Sequence, residues 1–124
     1  MSEPNPEAFA FLASRQSQPA KLFKGPIPSR EALIEILTAA TRVPDHGKLE
    51  PWRLVVLDKA AMARVADLAE ARAQELGGDG EKIAKGRGQF DLDQLAVVVI
   101  SAPKPSDKIP QSEQILSAGA LCFG

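Results

Sequence analysis

The sequence predicts a mixed α/β layer, a small sheet covered by four or five amphipathic helices, all within one domain over residues 1–124. Three observations carry this. Leu54-Val55-Val56-Leu57 and Leu95-Ala96-Val97-Val98-Val99-Ile100 are continuous apolar runs, which suit strands covered on both faces. Leu33, Ile36, Leu37 and Ala40 recur at the spacing of one helical face. Between that helix and the first strand, Pro44, Gly47 and Pro51 break regular structure, and the stretch they bound holds the only histidine and the only tryptophan.

Each element has a local reason. Asn5 suits a helix N-cap, with Pro6 in the first turn and Glu7 near the positive end of the dipole; Phe9, Leu12 and Ala13 then share a face. Residues 18–28 carry three prolines and a glycine and read as an extended connection, with Leu22 and Phe23 expected to pin it to the core. Ser29 caps the second helix, which Pro44 forces to stop by disfavouring helical geometry at Val43. Asp58 caps an alanine-rich helix over 59–76, whose apolar face is Met62, Val65, Ala69, Ala73 and Leu76, and Gly77-Gly78 ends it.

Beyond it the chain is polar and glycine-rich, with a short helical candidate at 81–85 and with Phe90 and Leu92 placed to hold the loop down. Gly86-Arg87-Gly88 is not a phosphate loop: no strand precedes it, and neither the Walker pattern nor a third dinucleotide glycine is present. Pro103 and Pro105 stop the second strand. A last helix follows, with Ile115, Leu116, Ala120 and Phe123 as its apolar positions and Cys122 as a small core residue, reaching Gly124 in mid-pattern.

Composition narrows the function. A formal net charge of -1 with 25% charged residues offers no electrostatic footprint for nucleic acid or an anionic membrane. No apolar run approaches the roughly 20 residues of a membrane span, and no basic stretch followed by an apolar one opens the chain, so a cytoplasmic protein is expected. A single cysteine excludes an intrachain disulfide, and with a single histidine it argues against a zinc site.

Chemistry concentrates in two places. The breaker-bounded loop packs Arg42, Asp45, His46, Lys48 and Glu50 between a helix and a strand, where a rigid scaffold displays function. Its residues also have plainer readings: His46 as a surface histidine, Trp52 as a core anchor. Arg15, Gln16 and Ser17 stand where the first helix gives way. A guanidinium beside a hydroxyl suits a phosphate, but an arginine solvated at a helix C-terminus and favoured by the dipole is the better reading of the residues alone.

Arg42-Val43-Pro44-Asp45-His46, then Glu50-Pro51-Trp52 and an apolar strand, resembles the nitroreductase family of flavoproteins. It is most similar to the small bacterial subgroup carrying Arg-x-Pro-Asp-His where other members have Pro-Ser-x-x-Asn-x-Gln-Pro-Trp. Ser14-Arg15-Gln16-Ser17 resembles the family's Arg-Arg-Ser, with Gln16 for the second arginine, and Pro110-Gln111-Ser112-Glu113-Gln114 resembles the start of its next long helix.

The resemblance implies an α+β nitroreductase-like fold, an intertwined homodimer, FMN as cofactor and NAD(P)H as co-substrate. Reduction of nitroaromatic or other electron-poor small molecules would proceed by ping-pong hydride transfer through the flavin. It implies that Arg15, Gln16 and Ser17 of one subunit grip the phosphate and ribityl end of FMN, and that Arg42 and His46 reach the same FMN from the other. It covers only the N-terminal portion of the family, so the chain reads as C-terminally shortened, with weak FMN binding and a tendency to associate. A noncatalytic fragment or flavin-free interaction domain is the alternative.

Overall fold

Two strands pair antiparallel, and helices pack on each of them. The structure, a computed structural model, describes residues 3–92 and 94–123. In order the elements are α1 (Pro6–Ser14), a 3-10 turn (Ala20–Leu22), α2 (Arg30–Ala40), a 3-10 turn (His46–Lys48), β1 (Trp52–Leu57), α3 (Lys59–Glu75), α4 (Gly80–Gly88), β2 (Ala96–Ser101) and α5 (Gln111–Phe123). α5 packs on β2, α3 on β1, and α4 folds back on α3.

The helix starts follow side-chain capping. Asn5, Ser29, Asp58 and Asp79 each accept a backbone N–H three residues on, at 3.0, 3.2, 2.8 and 2.9 Å. α3 ends as its glycines dictate. Gly77 takes φ +72°, its N–H donates to Gln74 and that of Gly78 to Ala73, forming a Schellman closure.

α4 is longer than the 81–85 candidate. Asp79 caps it one residue before Gly80, and a glycine-rich stretch stays helical because α3 lies against it. Gly86 sits where an added Cβ would already touch Ala69 O and Ala73 Cβ, at 3.6 and 3.7 Å, so the small residues let the two helices approach. Arg87 then clamps the pair: its Nη1 donates to Asp67 Oδ1 and Glu70 Oε2, both at 2.7 Å. Those two bonds, with the attraction of both carboxylates, raise its pKa still further, so it is a fixed charge.

Several burial expectations are corrected. The sheet has two antiparallel strands among the described residues, in register Trp52↔Ser101 to Leu57↔Ala96, and none of its residues is fully buried. Continuous apolar runs therefore did not mean strands covered twice. Leu22 and Phe23 are exposed, so they do not pin the connection; Gln94 does, its Nε2 donating to Ala20 O and Phe23 O at 3.0 and 2.9 Å. α1 buries none of its residues. Leu76, given to the apolar face of α3, is exposed, and Ala66 takes the fully buried place.

In α5 the buried face is Gln114, Ala118 and Leu121, while Ile115, Leu116 and Phe123 face outward and Cys122 is exposed rather than a core residue. α5 is described as far as Phe123, and the expectation that it reaches Gly124 falls on a residue outside those described. Phe90 and Leu92 are half-buried, as expected of residues holding a loop down. The chain exposes 9737 Å², against about 6,400 Å² for a compact monomer of this mass. No helix among the described residues is long and apolar enough to cross a membrane.

Candidate functional site

The turn from α2 to β1 holds the non-glycine residues of left-handed backbone found among the described residues. After Thr41 closes α2, three residues take left-handed conformations: Gly47 at φ +73°, Lys48 at +51° and Glu50 at +47°. For a residue with a Cβ this geometry costs about 1–2 kcal/mol, and such strain collects at functional sites. Asp45 holds it in place. Its Oδ1 accepts the N–H of Leu49 at 3.2 Å and its Oδ2 that of Glu50 at 2.8 Å, while its own carbonyl accepts Lys48 N–H at 3.0 Å.

Ile109 supports the turn from beneath. It is buried, and its Cδ1 fills the space directly under Gly47. Ile109 is in turn set by Ser106, whose Oγ accepts its N–H at 3.1 Å, and by the buried Gln114. The Gln114 carboxamide accepts Lys104 N–H at 2.7 Å and donates to Lys104 O at 2.9 Å and Ile109 O at 3.3 Å. Pro51, fully buried, joins the turn to the sheet: its carbonyl accepts Ala102 N–H at 2.8 Å.

The turn separates two concavities. On one side Arg42 and Lys48 line a groove of about 680 Å³ with Thr38, Glu50 and Trp52. On the other, Pro44 and His46 face Glu113, Leu116 and Ala120 of α5 across a cleft of about 330 Å³. His46 Nδ1 lies 2.8 Å from Glu113 Oε2.

Arg15 caps the end of α1. Its Nη2 donates to Ser17 Oγ at 3.2 Å, and its guanidinium stacks over the Phe123 ring, 4.7 Å from the centroid. It pairs with no carboxylate among the described residues, and Gln16 beside it is exposed. The chain thus groups Arg15 with Ser17, and His46 with Glu113. It does not bring the two groups together: Phe123 and Glu113 stand near opposite ends of α5, a helix about 20 Å long at 1.5 Å per residue. Arg42 lines the groove and His46 the cleft.

Sequence reasoning missed Asp45 as a brace, and Glu113, Ile109 and Gln114 altogether as parts of the site. Asp45 carried a signal, an aspartate two residues before a glycine in a turn. The other three lie far along the chain, and no local pattern joins them to the turn. Among the described residues no cluster of histidine, cysteine and carboxylate groups could hold a metal.

The family model of nitroreductases matches residues 12–123, which takes in Arg15, the braced turn and α5. The chain belongs to the nitroreductase family. Its α+β architecture agrees with that membership, and the nitroreductase likeness extends to particular bacterial proteins. It is 32% identical to a Haemophilus influenzae protein named "Putative NAD(P)H nitroreductase" over 95% of this chain and 64% of the relative. It is also 32% identical to the Escherichia coli K12 protein named "Putative NAD(P)H nitroreductase YdjA", over 91% of this chain and 61% of the relative. The chain therefore spans rather less than two thirds of the length of the curated nitroreductases it matches.

Proposed function

We propose that this chain is part of an FMN-dependent oxidoreductase that uses NAD(P)H to reduce nitroaromatic or other electron-poor small molecules. The observation that carries the reading is Arg15: a guanidinium with no carboxylate partner among the described residues, stacked on an aromatic ring and set beside a hydroxyl. That donor set fits a phosphate monoester, which takes a planar fork of donors and a short hydroxyl bond. The nitroreductase names of the relatives bring the co-substrate and reaction class to this chain.

FMN, when bound, supplies the hydride-transfer chemistry between NAD(P)H and the acceptor. Arg15 and Ser17 would hold its phosphate, with Gln16 adding a neutral donor. Arg42, from the braced turn, would supply a positive charge near the ring, and His46 a polar contact.

We also propose that the working unit is a homodimer. An exposed area about 3,300 Å² above that of a compact monomer leaves ample surface on each subunit for an obligate dimer interface. The exposure is apolar where association would use it, at Phe9 and Phe11 of α1 and at Leu116 and Phe123 of α5.

Titration of FMN into the purified chain tests the reading. Arg15→Ala is expected to weaken binding by about 1.5–3 kcal/mol, the range for a hydrogen bond to a charged group. A folded Arg15→Ala variant with unchanged FMN affinity would remove Arg15 from the site. Light scattering on the same samples reports the assembly, and a monodisperse monomer at every concentration would remove the dimer.

A further inference from the structure

The pairing of His46 with Glu113 joins the turn to the first helical turn of α5, across 67 positions of sequence. Glu113 approaches only one ring nitrogen, Nδ1, at 2.8 Å. A carboxylate has no proton to give, so the bond forms only when Nδ1 carries the hydrogen and donates it to Oε2. In the neutral ring this leaves Nε2 as the acceptor. Nε2 has no partner among the described residues. The Oγ of Ser117, one turn further along α5, donates to the Glu113 carbonyl at 3.2 Å and leaves the carboxylate to the histidine.

From this geometry we infer that Glu113 is a positioning residue for His46, fixing the tautomer in which Nε2 meets the bound ligand as a hydrogen-bond acceptor. The ligand atom met there is then an N–H or O–H group rather than an oxygen anion. An FMN ring or ribityl chain offers such groups. The inference rests on the placing of His46 at the FMN site, which is separable from the pair itself. Arrangements of this kind, a ring nitrogen held by a carboxylate so that the other faces the ligand, set the direction and tautomer of an imidazole.

His46 is the only histidine in the chain, so its ring resonances need no assignment by elimination. Nitrogen-15 imidazole spectra are recorded for the wild-type chain and Glu113→Gln, at a pH well above the ordinary histidine range. Glutamine keeps the length and packing of the side chain, but its amide both donates and accepts. The wild type is expected to carry its proton on Nδ1, and Glu113→Gln to gain the Nε2–H form. A wild-type proton on Nε2, or identical tautomers in the two proteins, overturns the inference.

FMN titration of the same proteins supplies the second arm. Glu113→Gln is expected to raise the dissociation constant about fivefold, the size of one hydrogen bond, and His46→Ala to raise it at least as much. If His46→Ala weakens binding and Glu113→Gln does not, positioning by Glu113 is overturned. If His46→Ala leaves FMN affinity unchanged, the placing of His46 at the flavin fails, and the tautomer spectra alone decide the pair.

Discussion

Gly47→Ala is expected to destabilise the protein by about 2–4 kcal/mol, combining a left-handed backbone with overpacking. Two independent costs meet at this residue. Its φ of +73° is closed to most side chains, and a Cβ would run into the Cδ1 of the buried Ile109, which must repack to make room. Urea titration should show a lower midpoint with an unchanged slope. Ile109→Val separates the two costs, because it deletes the methyl that the new Cβ would meet. Alone it should cost about 0.5–1.5 kcal/mol. Combined with Gly47→Ala it should recover the overpacking part and leave the backbone part. A Gly47→Ala variant within 0.5 kcal/mol of wild type, on the roughly ±0.5 kcal/mol scale of neutral substitutions, would show that the turn is not held as described.

The second large effect is expected at Gln114. Its side chain is 3% exposed and makes three hydrogen bonds to the backbone of the segment leading into α5. Gln114→Leu keeps the volume and adds apolar character, yet it strands the N–H and carbonyl of Lys104 and loosens the carbonyl of Ile109. The expected cost is about 2–4 kcal/mol, since a polar group left without a partner costs about 1–3 kcal/mol. Native-state hydrogen exchange locates the damage: the Lys104 amide should lose protection while the β1–β2 ladder keeps its order relative to α3. Global loss of stability with Lys104 still protected would mean that the bonds to Gln114 are replaceable.

These two residues also mark where the sequence could and could not be read. Helix starts were legible because Asn5, Ser29 and Asp58 act on an N–H three residues away, and the chain carries both partners of each bond. Asp79 did the same but was passed over, because the glycines around it argued for a loop and only contact with α3 makes them helical. The turn was legible as a place, from its prolines and glycine.

What the turn touches was not legible. Ile109, Glu113 and Gln114 reach it only through tertiary folding. Sorting by apolarity gave α5 the wrong inner face, choosing Ile115, Leu116 and Phe123. Structure placed Gln114 inside because a proline-rich segment needed its hydrogen bonds satisfied. The strands were located nearly to the residue, yet their burial was overestimated, since an apolar run reports what a strand can cover rather than what covers it.

The nesting of α3 and α4 between the two strands has a kinetic consequence. β1 cannot pair with β2 until the whole segment 58–95 has been drawn into a closed loop, and the entropy of closure grows with the flexible length. The helical hairpin lies inside that loop, and its contacts are local in sequence. Once α3 and α4 have docked through Ala69, Ala73, Gly86 and the Arg87 clamp, the segment is short and stiff, and the strand ends are delivered near one another. The hairpin is thus set to form before the ladder, which closes after the rate-limiting step. Ala66→Gly, which loosens a buried helical position, should slow refolding, whereas Val98→Ala in the ladder should act mainly by speeding unfolding. Stopped-flow chevrons of the two variants read that order directly, and it reverses if Val98→Ala is the one that slows the folding arm.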